Sequence, residues 1–324
     1  MEIIQKNRFE PLVRDKSIKQ ELTGKSLTYW QDVWRRLRSN KVALVSMYFI
    51  VILILLSIFV PIFSCYSYSD QLLGQEGMGP SLQHPFGTDT MGRDMFVRVF
   101  YGARISLSIG LIACLINLTI GVLYGGISGY FGGKVDTVMM RFVDIVYSVP
   151  MMLYVILLMV VFKDRAEKMF ELPVLSLFKS AGAGLLSIYI TLGLTYWVDM
   201  ARIVRGQILS LREQEYVTAA RTLGAGNFRI LLRHLIPNCI GPILVTITLQ
   251  IPTAIFTEAF LSFVGLGVDA PMASWGSLAR DGLEGIRSYF YLLLFPSIAI
   301  SLTMLAFNML GDGLRDAMDP RMRK

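Results

Sequence analysis

Few residues of this 324-residue chain stand in patterns that do covalent chemistry. The nearest approach to a phosphate-binding loop is GYFGGKV, Gly129 to Val135. It lacks the first glycine at the required spacing and has no Ser or Thr after Lys134. No GxSxG and no HExxH occur. The two histidines, His84 and His234, stand far apart and read as structural. Cys65, Cys114 and Cys239 are scattered, without a CxxC spacing, so neither a metal site nor a disulfide is expected. The chain reads as no enzyme and as holding no cofactor of its own. What remains is a set of charges in apolar surroundings. Arg141 and Asp144 lie at i, i+3, and Asp199 and Arg202 repeat that spacing. Glu258 stands alone among Phe256, Thr257 and Phe260. A charge at the centre of a bilayer costs about 2.5–3.5 kcal/mol on insertion scales, so such residues pair or face a cavity or partner. For the two pairs both readings stay open: the wall or gate of a polar path, or a structural pair at the bundle edge. Glu258 has no local partner and is expected to face an inner cavity or another subunit.

The elements that position these charges are apolar spans. Apolar residues make up 54% of the chain and charged residues 17%, against about 25% charged in soluble domains. The net charge of +7 does not by itself point to nucleic acid, because its distribution decides the partner. A run from Val42 to Phe63 is long enough to cross a hydrocarbon core of roughly 30 Å. Further spans are expected over 105–130, 138–162, 185–204, 236–264 and 289–310. In the second, Gly110, Gly121, Gly125, Gly126 and Gly129 predict close helix contacts. Pro150, Pro252 and Pro296 each remove a backbone donor inside a span. They read either as hinges or as ordinary kinks.

Residues 1–41 form a polar arm, and 42–324 the membrane domain. No secretory signal peptide is evident. Within the arm, 27–37 predicts a short amphipathic helix with Tyr29, Trp30, Trp34 and Leu37 turned to the bilayer. A disordered tail is the alternative. The loop 64–104 is expected to fold locally, and 163–184 to be polar with a short surface helix. Six spans place both termini on one side. That side carries 22 of the 31 Lys and Arg residues, so both termini are expected in the cytoplasm.

One polar interruption falls on the same side, EYVTAARTLGAGNFRILLRHLIP from Glu215 to Pro237. Glu215 suits a helix start, Thr218, Ala219 and Ala220 make a small face, and Gly224 can end the helix in a left-handed conformation. Asn227 is expected to cap a second helix. Such a helix between two spans reads as a knob for another protein's groove, or as a solvated connection.

This stretch resembles the cytoplasmic coupling loop of ABC-importer permeases: Glu-Ala-Ala, three residues, Gly, nine residues, Ile-x-Leu-Pro. Ala219, Ala220, Gly224, Ile236 (for Leu) and Pro237 match. Thr218 stands for the family's Glu and His234 for its Ile. The longer form, YVTAARTLGAGNFRILLRHLIPN, is similar to the peptide and nickel branch, and two further stretches match: HPFGTDTMGRDMFVRVFYGARISL (His84 to Leu107) and NMLGDGLRDAMDPRMR (Asn308 to Arg323). Three motifs in family order imply an all-α type I importer permease with six transmembrane helices. They imply the C-type subunit of an oligopeptide or dipeptide importer in a bacterial cell membrane. The resemblance implies a homologous permease partner, two ATP-binding subunits that hold ATP and Mg, and an extracytoplasmic binding protein. A coupling loop at about 207–235 would meet the ATPases through Glu215, Thr218, Ala219, Ala220, Arg221, Gly224 and Ala225. The alternative cargo is nickel or another metal chelate. A stand-alone secondary transporter and a membrane enzyme are disfavoured, since neither inverted repeats nor a catalytic constellation is evident.

Overall fold

The computed structural model describes residues 28–170 and 182–319. These residues are helical, with no strand beyond an isolated bridge between Thr88 and Asp94. Backbone groups in hydrocarbon must be satisfied internally, which a helix does within one segment. In chain order the helices are α1 (Tyr29–Ser39), α2 (Lys41–Phe63), α3 (Met95–Phe131), α4 (Gly133–Ser148), α5 (Met151–Met169), α6 (Gly182–Leu211), α7 (Glu215–Thr222), α8 (Asn227–Ile230), α9 (Ile240–Phe263), α10 (Trp275–Glu284) and α11 (Tyr291–Met318). A π turn (Leu231–Leu235) and a 3-10 turn (Ile236–Cys239) join α8 to α9.

Five segments are long and apolar enough to cross a membrane: α2, α3, α6, Asn227–Phe263 and α11. The sixth candidate span differs from the continuous helix expected over 138–162. It is a bent pair, α4 and α5, turned by 87°. The break falls at Val149 and Pro150 because proline lacks the N–H and its ring disfavours helix at the residue before it. Val149 is extended, with ψ 132°. Pro252 and Pro296 are also within spans, but α9 and α11 run through them. Most observed spans are longer than the apolar runs suggested: α3 starts at Met95, α6 ends at Leu211 and α11 reaches Met318. The 163–184 loop is helical in its first part, as the end of α5, and 171–181 lie outside the described residues.

The centre of the bundle is α3 against α6. Gly121 faces Met200, Gly125 faces the Ala201 carbonyl, and Gly129 faces Arg205 and Ile208. A Cβ on Gly125 would overlap that carbonyl, so only glycine allows the two backbones this close. Helix α2 buries one stripe, Ala43, Ser46, Ile50, Leu53 and Ser57, and leaves most of its other apolar side chains exposed. The amphipathic helix is present as α1. Val33 and Leu37 are the residues it buries, packed with Ala317 and Met318 at the other end of the chain. Trp30 and Trp34 stay on the outer surface.

The segment before α3 is folded, as expected, and held by buried polar contacts. His84 Nδ1 lies 2.6 Å from Asp94 Oδ2, and its Nε2 lies 2.9 Å from Gln75 Oε1. Asp94 also caps α3, accepting from Val97 N at 2.8 Å.

Candidate functional site

The polar interruption forms α7, which starts at Glu215. Its end is a Schellman turn. Gly224 N donates to Arg221 O at 2.9 Å and Ala225 N to Ala220 O at 3.0 Å, with Gly224 at φ +81°. Val217 is the buried anchor, packed with Ile230, Leu231 and Leu235, and Ala220 and Ala225 lean on the same cluster. The small face predicted over Thr218, Ala219 and Ala220 is therefore divided. Thr218 and Ala219 are exposed, whereas Ala220 is partly buried. Two apolar side chains that sequence reasoning passed over project beside them, Leu223 at 88% exposure and Phe228 at 65%. Their signal was present as apolar residues within a polar stretch. Glu215 and Arg221 are exposed as well.

Several contacts fix this helix to the span ends. Arg221 lies over the Tyr130 ring at 5.5 Å, and Tyr130 OH donates to Asn227 Oδ1 at 2.9 Å. Asn227 was expected to cap α8. Gly226 takes that position, and the Asn227 side chain is bound to α3 instead. Asp136, at the start of α4, receives Arg205 Nε and Nη2 at 2.5 and 2.6 Å and Ser128 Oγ at 2.6 Å. Arg212 Nη1 donates to Gly129 O at 3.0 Å. Helices α3, α4 and α6 are thus locked together where α7 begins. A bidentate Arg–carboxylate pair is the strong form of such a contact. These residues carried no local signal, because Asp136 and Arg205 are 69 positions apart.

The span charges pair otherwise than their spacing suggested. Arg202 Nη2 meets Asp144 at 2.8 Å across α6 and α4, and its guanidinium lies 4.1 Å over the Tyr147 ring. Residues at i, i+3 on one helix can meet, but α4 brings Asp144 closer to Arg202 than Asp199 is. Arg141 is exposed and has no ion pair among the described residues. Asp199 is half-buried and lines a cavity of about 250 Å³ beside the α4–α5 break, with Tyr147, Pro150, Tyr154 and Thr195.

Glu258 faces neither a cavity nor an open surface. It is fully buried where α3, α9 and α10 meet. Ser106 Oγ donates to its Oε2 at 2.8 Å and Ser262 Oγ to its Oε1 at 2.7 Å. Ser106 in turn accepts from Trp275 N at 3.4 Å, and Ser262 from Ser274 Oγ at 3.2 Å. Both chains of donors begin at the first turn of α10. The carboxyl thus answers the positive end of that helix through two serines. Its partners come from distant helices, which is why the local sequence offered none.

At the other end of α3 a polar cleft of about 530 Å³ lies between 89–95 and α10, lined by Asp89, Arg93, Arg280, Asp281 and Glu284. Burial pushes the Asp281 carboxyl above its ordinary value, opposed by Arg98, Arg280 and Arg93.

Comparisons with known proteins identify the family of the chain. The family model described as "binding-protein-dependent transport system inner membrane component" matches residues 121–324. A second, the "N-terminal TM domain of oligopeptide transport permease C", matches 28–85. The chain is 50% identical over its full length to an oligopeptide transport system permease protein of Bacillus subtilis, all of which is covered. It is 48% identical to a dipeptide transport system permease protein of the same organism, over 92% of this chain and 88% of the relative. It is 42% identical to an oligopeptide transport system permease protein of Escherichia coli, over 95% of each. The helical build and its five or six candidate spans are those of a type I importer permease. This multi-pass membrane chain belongs to the family of binding-protein-dependent transport system inner membrane components.

Proposed function

We propose that this chain is one permease subunit of an ATP-driven importer of oligopeptides or dipeptides in the cytoplasmic membrane of a bacterial-type cell. Its relatives' names supply the cargo class. Within the machine it pairs with a homologous permease subunit. Two ATP-binding subunits hold the ATP and Mg, and an extracytoplasmic binding protein delivers the peptide.

The observation that carries the coupling role is α7, a short helix with an exposed small and apolar face, anchored by Val217 and closed by a left-handed Gly224. Closure of the ATPases pushes on Glu215, Thr218, Ala219, Arg221 and the flanking Leu223 and Phe228. Ala220, Gly224 and Ala225 keep α7 rigid on the ends of the spans. The Asp136–Arg205 pair passes the displacement to α4 and α6. Residues Arg141, Asp144, Asp199 and Arg202 border the path or its gate, and Pro150, Pro252 and Pro296 mark where spans can flex. Glu258 sets the position of α10 and stands outside the path.

The test is ATP hydrolysis by the complete complex in lipid, with its binding protein, titrated with mixed peptides and separately with nickel chelates. Stimulation by peptides alone is the expected result. Stimulation by nickel chelates alone overturns the cargo, and a chain that retains no ATPase through purification overturns the coupling role.

A further inference from the structure

We infer that Asp199 is the anion of a binding subsite for an ammonium group, the charged amino group of a peptide in transit. The inference rests on the peptide-import reading above. Asp199 is a carboxyl in the interior of a span, half-buried and turned to a cavity of about 250 Å³. Ionisable groups within an apolar span are costly unless something answers them. Arg202 is the cation nearest in sequence, and it is committed elsewhere, to Asp144 at 2.8 Å and the Tyr147 ring at 4.1 Å. It acts on Asp199 only at longer range. Among the described residues Asp199 has no ion pair within 4 Å and no hydrogen bond.

Several groups that face the cavity suit a small cation, against the first turn of α5, whose Met151 also lines it and whose helix end is partly positive. Tyr154 brings an aromatic ring, whose face attracts ammonium groups, while the Tyr147 ring already carries the Arg202 guanidinium on one face. Thr195 brings a hydroxyl that already donates to Thr191 O at 2.6 Å, leaving its lone pairs to accept. The α4–α5 break turns the last turn of α4 into the cavity wall, through Val146 and Tyr147. A helix C-terminus carries partial negative charge. No basic side chain lines the cavity. The rest of the wall is apolar, Val149, Met151 and Val198 among it, which strengthens the attraction by lowering the local dielectric.

The test uses the complete complex in proteoliposomes with saturating binding protein. Uptake of tri-alanine, N-acetyl-tri-alanine and N-acetyl-Ala-Lys-Ala is compared for wild type, Asp199→Asn and Asp199→Glu. Losing one charge-assisted contact lowers the maximal rate for tri-alanine about tenfold in Asp199→Asn. Asp199→Glu recovers most of it, and the half-saturating concentration of binding protein does not move. Acetylation removes the α-ammonium, so the rate for N-acetyl-tri-alanine is the same in wild type and Asp199→Asn. A loss with N-acetyl-Ala-Lys-Ala as well extends the subsite to basic side chains, whereas no loss confines it to the peptide N-terminus. Wild-type transport of tri-alanine with an unchanged rate in Asp199→Asn overturns the subsite alone. A parallel fall for all three peptides overturns it in favour of a structural role. A wild-type complex that transports none of them overturns the peptide reading, and the subsite with it.

Discussion

At the scale of single residues, Gly224 and Glu258 carry opposite kinds of constraint. Gly224 has open space around it, so a side chain meets no neighbour there. The constraint is its φ of +81°, which costs an L-residue about 1–2 kcal/mol and a β-branched one more. Gly224→Val is therefore expected to loosen the end of α7 and uncouple ATP hydrolysis from uptake. Gly224→Asn, which tolerates that conformation, keeps most of the coupling. The check is the ratio of peptide taken up to ATP hydrolysed, and full coupling in the valine variant would refute the lever. Glu258 is constrained by its neighbours. Glu258→Ala leaves the Ser106 and Ser262 hydroxyls buried without their acceptor, at about 1–3 kcal/mol each. Thermal unfolding of the purified complex should shift down clearly for alanine and less for Glu258→Gln, which still accepts. An unchanged midpoint for alanine would show that the serine cage contributes nothing. Both residues stood out in the sequence, but their roles were not equally legible. A glycine after a helix advertises its backbone, whereas a lone carboxyl says nothing about which helices surround it.

At the scale of elements, contacts between helices matter more than any one helix. Packing of α3 on α6 depends on glycine at 121, 125 and 129. Gly125→Leu is expected to destabilise the bundle by about 3 kcal/mol or more, since overpacking forces backbone shifts. Membrane-extracted yield of intact complex reads this out, and a normal yield would mean that the helices separate without penalty. The same two helices are tied to α4 through Asp136 and Arg205. Arg205→Ala removes one partner and leaves a half-buried carboxylate, so it should lower uptake more than ATP hydrolysis. Equal falls in both would place the pair in general stability instead of coupling. The glycine spacing was readable because helix periodicity is local. The break of the sixth span at Pro150 was half-readable. The proline was visible in sequence, but Pro252 and Pro296 looked alike and their helices run on. Whether a proline breaks a span depends on the neighbours that satisfy the freed carbonyl, and those come from elsewhere in the chain.

At the scale of the whole molecule, the two ends of the bundle carry different equipment. One end holds α7 and the ion-paired turn beneath it. At the other end of α3 is the polar cleft with Arg93, Arg280 and Asp281. Between them lies the notch with Asp199. In the importer proposed above, drive from one side and loading from the other would use this division. The sequence alone determined the class of molecule, the number of apolar segments and the family motif at 215–237. Hydrophobic length, period and turn chemistry are properties of consecutive residues, and the bilayer enforces them directly. Only the tertiary structure decided that Arg202 pairs with Asp144, that Glu258 is enclosed by serines, and that Leu223 and Phe228 flank the exposed face of α7. The physical reason is the same in each case. A charge or a surface is defined by what comes within a few ångströms of it, and Ser106 lies 152 positions from Glu258 along the chain.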